Sequence, residues 1–127
     1  MQDRITFEYA IIRFVPKVER EEFFNIGVIL FSKEKKFLGV KYHIDKDKLQ
    51  AFTKEISIDF IETYLQSWTH ICKGDAKGGV IGSFEIADRF RWLASTRSTM
   101  IQSSKTHPGK CSDPEATLQT IFEKYVL

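Results

Sequence analysis

A chain of 127 residues with 43% hydrophobic side chains has material for one core and reads as a single domain over residues 1–127. Its formal net charge of +2 supplies no global field of the kind that announces a nucleic-acid protein, and no apolar run reaches membrane-spanning length, so no membrane association is expected. The polar opening Met1–Arg4 leads straight into strand-like sequence and Cys72 and Cys111 are the only cysteines, which together predict a cytoplasmic protein with two free thiols and no structural zinc.

Ile5 to Val15 has the period of a strand, with Ile5, Phe7, Tyr9, Ile11 and Val15 on one side. Arg13 falls on that same apolar side, where its charge needs an edge or a partner. Pro16 ends the strand because it offers no ladder N–H. Phe23 to Ser32 predicts a second strand, with Phe24, Ile26, Val28 and Leu30 on one face and Asn25 and Gly27 on the other. Gly27 weakens this strand unless a bulge or a close backbone approach requires it. Lys33–Lys36 is a polar turn, and Phe37 to Ile44 a third strand. Short connections make the three an antiparallel meander.

The period then changes. Asp45 to Glu55 predicts a short helix with Leu49 and Phe52 inward. Ser57 or Asp59 caps a longer one, on which Ile61, Leu65, Trp68 and Cys72 recur at helical spacing up to a stop at Gly74. Asp75 to Gly82, with three glycines, reads as a flexible connection, since neither nucleotide-binding glycine pattern is present. Ser83 is expected to cap a helix running to about Ala94, with Ile86, Phe90 and Leu93 packed. Thr99 to Ser104 predicts a fourth strand with Met100, Gln102 and Ser104 on one face. Pro108-Gly109 reads as a turn, and Asp113-Pro114 as the start of a last helix bearing Leu118, Ile121, Phe122 and Tyr125. The expected fold is α+β: a small, mainly antiparallel sheet of about four strands, three of them the N-terminal meander, with helices packed on one face.

The polar chemistry concentrates between Asp88 and Lys110, where Arg89, Arg91, Arg97, Lys105 and Lys110 face one acidic residue. Arginine's fork suits phosphate and carboxylate oxygens. Arg89 and Arg91 are two apart on a helix and face different ways, and Arg91, near the helix end, is the one expected to share a site with Arg97 and Ser98. Gln102 and Ser104 alternate onto one strand face, and with Arg13 and Asn25 they form a set of polar side chains able to converge across the sheet. The candidate ligand-binding residues are therefore Arg13, Asn25, Arg91, Arg97, Ser98, Gln102 and Ser104. His107 is the candidate general acid or base by residue type, set beside a turn. Asp45, Asp47 and Glu55 form no metal-binding triplet, and neither metal nor cofactor is expected.

The segments Tyr9-Ala10-Ile11-Ile12-Arg13-Phe14-Val15-Pro16 and Phe23-Phe24-Asn25-Ile26-Gly27-Val28-Ile29-Leu30-Phe31 resemble the opening of the bacterial domain of unknown function 3037 family. Its closing half is similar to Arg89–Ser98, Ile101–Ser104 and Cys111–Glu115. The resemblance spans nearly the whole chain. It implies a small cytoplasmic bacterial protein associated with HipA-like kinases, and it carries no catalytic assignment.

Three readings of function follow. The first is a non-enzymatic binding or regulatory module, partnered by a kinase-like protein, whose basic polar pocket recognises phosphate, nucleotide or an acidic peptide. The second is a small enzyme acting on a phosphorylated substrate, with Arg91 and Arg97 holding phosphate and His107 moving a proton. The third is a nucleic-acid binder using Arg89, Arg97, Lys105 and Lys110. An exposed strand edge or the aromatic-rich surface would also support a homodimer.

Overall fold

Alternating apolar residues set β1, Ile5–Phe14, at the centre of the molecule. It pairs antiparallel with β2, Phe24–Ser32, which pairs antiparallel with β3, Phe37–Tyr42, so the expected meander is present. On the other side of β1 lie β4, Ile101–Ser103, and β5, His107–Cys111, in the order β3-β2-β1-β4 with β5 also on β1. The computed structural model describes residues 4–95 and 99–127. Among them the chain is α+β, as the sequence predicts, with a fifth strand where a turn is expected. Pro108 sits opposite Glu8 in this strand, and an edge position tolerates a residue without a ladder donor.

β1 keeps strict alternation, but β2 does not. Ile12 pairs with Gly27 while Arg13 pairs with Asn25, leaving Ile26 as the extra residue of a bulge. Phe24 and Ile26 therefore share a core with Ile29 and Phe31, whereas Val28 and Leu30 point into a second core. The single face expected for Phe24, Ile26, Val28 and Leu30 is split by that one inserted residue. Gly27 is there for close approach: a Cβ would lie 2.7 Å from the Lys41 carbonyl oxygen and 3.0 Å from Tyr42 Cβ.

The first core is closed by helices from the middle of the chain. α1 spans Lys46–Phe52, α2 Ile58–Lys73, α3 Gly79–Gly82 and α4 Ile86–Ala94. Ser57 Oγ accepts the Phe60 N–H at the head of α2, and Gly74 closes it at φ 70°, a left-handed turn that favours glycine. Ile61, Leu65, Trp68 and Ile71 face the sheet, with Ile71 in the place expected for Cys72. The stretch after Gly74 is a 3-10 turn at Ala76–Gly78 followed by α3 rather than an irregular connection. Asp75 organises it by accepting the Lys77 N–H at 3.0 Å and meeting His70 Nδ1 at 2.9 Å. Ser83 terminates α3 instead of capping α4, which starts after Glu85.

The second core lies across the sheet. α5, Pro114–Tyr125, begins at Asp113, whose carboxylate accepts the N–H groups of Glu115 and Ala116. Leu118, Ile121 and Phe122 cover Phe7, Ile11, Val28 and Leu30. The middle helices thus occupy one face, as expected, and the last helix covers part of the other. Among the described residues no helix is long and apolar enough to cross a membrane.

Candidate functional site

Register, rather than sequence proximity, assembles the polar site. Arg13 lies opposite Asn25 on one neighbour and opposite Gln102 on the other. Directly opposed residues project from the same face at about 5 Å separation, so the three form a row across β2, β1 and β4. The row is on α5's side of the sheet, because Ile12 and Phe14 point into the first core. All three side chains are half-buried.

Each member is held differently. The Arg13 guanidinium lies over the Phe23 ring, 4.4 Å from its centroid, and Phe23 itself is 43% exposed. Arg13 Nε is buried and has no hydrogen-bond partner among the described residues. Asn25 Nδ2 donates to the Tyr125 carbonyl at 3.1 Å, tying the row to the end of α5. Gln102 Nε2 donates to the Thr99 carbonyl at 2.7 Å. A planar cation flanked by two anchored amides and backed by an aromatic ring is a donor-rich surface for a planar or tetrahedral oxyanion.

An aromatic cluster lies further along the same face. Tyr9 stacks near Tyr125 at 6.5 Å and meets the His107 ring at 5.2 Å, Tyr9 and His107 being register partners. Burial, and then the hydrogen bond with Tyr125, raise the Tyr9 hydroxyl above the ordinary phenol value. His107 is exposed and belongs to β5, not to a turn.

The structure does not bring the other candidates to this row. Arg91 is on the opposite side of the sheet, where Nη1 and Nη2 donate to the two carboxylate oxygens of Glu8 at 3.1 and 3.2 Å. Glu8 shares its side with Ala10 and Ile12, so the strand's alternation keeps Arg91 from Arg13 and from His107. The expected pocket combining Arg13 and Arg91 is therefore not formed. Ser104 is buried within the β1 edge: its Oγ accepts the Ile11 N–H at 2.9 Å and donates to the Lys105 carbonyl at 2.9 Å. Its hydroxyl is committed to the backbone. Arg97 and Ser98 lie outside the described residues.

Arg89 has a clear structural task. Its Nε donates to the Phe84 carbonyl at 3.0 Å, and its Nη1 to the Ile71 and Cys72 carbonyls at 2.8 and 2.9 Å, at the C-terminal end of α2. Burial pushes the neighbouring Cys72 thiol up to about 12, against the smaller opposing effect of Arg89. Sequence reasoning missed Phe23 as the partner of Arg13. The signal available was that Phe23, two residues before Asn25, falls on the same strand face, but the pairing becomes visible only once the bulge sets the register.

Residues 9–126 match the family described as protein of unknown function (DUF3037). No curated protein and no solved structure matches the chain.

Proposed function

From the premise that the chain belongs to the DUF3037 family, whose description carries no activity, we propose that it is a non-enzymatic binding or regulatory module that recognises an anionic group on the Arg13 face of its sheet. The observation that carries this reading is the half-buried Arg13 guanidinium, set between Asn25 and Gln102 with its Nε lacking a hydrogen-bond partner among the described residues. A buried donor without a partner costs about 1–3 kcal/mol, and an oxyanion recovers it once the side chains that cover Nε give way. The ligand classes that suit it are phosphate, the phosphate of a nucleotide, or the carboxylate of an acidic peptide. A HipA-like kinase remains the proposed protein partner and a bacterial cytoplasm the proposed setting, both on family association alone.

The phosphoester-enzyme reading is less well supported, because Arg91 and His107 lie on opposite sides of the sheet. The nucleic-acid reading loses Arg89 to its clamp on α2.

The test is thermal unfolding of the protein with inorganic phosphate, a nucleotide and an acidic peptide, in the wild type, Arg13→Gln and Arg91→Gln. Ligand at a hundredfold excess over Kd stabilises by about 2.7 kcal/mol, a shift of several degrees. The shift is expected in the wild type and in Arg91→Gln and is lost in Arg13→Gln. A shift of equal size in Arg13→Gln would remove this site.

A further inference from the structure

A second recess lies away from the Arg13 face, between α1 and the start of α2. It is a cleft of about 450 Å³ lined by Lys46, Leu49, Gln50, Thr53, Lys54, Ile56, Ser57 and Ile58, a volume in the range of ordinary ligand clefts. Lys46, Leu49, Gln50 and Thr53 recur at the three- and four-residue spacing that places them along one side of α1, with Lys54 just beyond its end. Leu49 is buried and Ile56 and Ile58 half-buried, which gives the cleft an apolar floor. Lys46 and Lys54, at its two ends, are exposed. No acidic residue lines it; Glu55 and Asp59 face the adjoining depressions. The N-terminal end of α2 also opens on it at Ser57 and Ile58, adding the positive end of a 16-residue helix dipole.

We propose that this cleft docks an extended acidic segment of a partner protein, with an apolar side chain seated on Leu49, Ile56 and Ile58 and carboxylates meeting Lys46 and Lys54. The argument is charge complementarity joined to shape. From Lys46 to Phe52 α1 rises roughly 9 Å, and Lys54 lies two residues further on. An extended chain advances about 3.3 Å per residue and returns every second side chain to the same side. Acid, apolar and acid at alternate positions therefore fit the order lysine, apolar floor, lysine. This site and the Arg13 face share no lining residue and stand or fall separately.

The probe is a fluorescein-labelled peptide containing Glu-Ser-Leu-Ser-Glu, compared with its Gln-Ser-Leu-Ser-Gln counterpart and with octanoate. Binding is read by polarisation and by perturbation of the Gln50, Thr53, Lys54 and Ser57 amides in nitrogen–proton correlation spectra. The acidic peptide is expected to perturb those amides and to bind at least about tenfold more tightly than the neutral one, equivalent to ~1.4 kcal/mol. The double variant Lys46→Glu with Lys54→Glu is expected to lose that preference while keeping the wild-type urea midpoint. On the unmodified protein, the preference should shrink as salt rises from 50 to 500 mM. Equal binding of the two peptides, perturbation confined to other residues, salt-independent binding, or binding of octanoate alone overturns the proposal.

Discussion

Arg89 and Arg91 stand two positions apart on α4 and meet different surroundings. Arg89 is half-buried and donates to three backbone carbonyls, two of them, those of Ile71 and Cys72, in the last turn of α2, where the Ile71 carbonyl also accepts the Gly74 N–H at 3.2 Å. Arg91 forms a two-toothed pair with Glu8 but is 60% exposed, and exposed pairs of this kind contribute little because water and salt screen them. Arg89→Ala is expected to lower stability by about 2 kcal/mol, and Arg91→Ala by less than about 1 kcal/mol. Urea denaturation at constant ionic strength compares the two, and a larger loss in Arg91→Ala would reverse this assignment. The sequence shows that the two must diverge, since helical geometry separates positions i and i+2. It does not show which one meets a free surface, because that depends on α2's carbonyls and on Glu8, far apart in the chain. Arg13 was legible for the opposite reason: the strand's own alternation placed it among apolar residues.

At the level of elements, the edge of β1 is built from two short strands with Ser104 between them. Ser104 N donates to the Ile11 carbonyl at 2.8 Å, and its Oγ accepts the Ile11 N–H, so one serine supplies both ladder bonds. Ser104→Ala keeps the first bond and strands a buried N–H, at a cost of about 1–3 kcal/mol. The expected result is a lower urea midpoint together with faster hydrogen exchange at Ile11; a midpoint unchanged within error, with Ile11 still protected, would contradict it. Elements with local chemistry were readable in advance. Ser57 and Gly74 bound α2, and Asp113-Pro114 opens α5, because caps act through the adjacent residues alone. β5 and the β2 bulge were not. Pro108-Gly109 carries a turn signal that is overridden by pairing with β1, roughly a hundred residues away in the chain. The bulge exists only as a mismatch between two strands, invisible in either one.

Across the whole molecule, β1 and β2 are shared by two cores, one closed by α2 and α4 and the other by α5. The two cores are separate clusters, yet they cannot come apart independently if the same strands carry both. Trp68, 1% exposed on α2, reports on the first core, whereas Trp92 on α4 is 37% exposed and outside it. Leu118 belongs to the second core and is 2% exposed. Leu118→Ala should cost about 2–5 kcal/mol, the usual range for a buried leucine. Since the strands couple the cores, the loss must reach Trp68: fluorescence and far-ultraviolet circular dichroism are expected to show one coincident transition, both at lower urea than in the wild type. A fluorescence midpoint left at its wild-type value, with an early phase seen only by circular dichroism, would mean that α5 peels from its face without disturbing the other. The Arg13 row would then be anchored less firmly than its Asn25 bond to the Tyr125 carbonyl implies, because that bond fastens the binding face to the helix the mutation loosens.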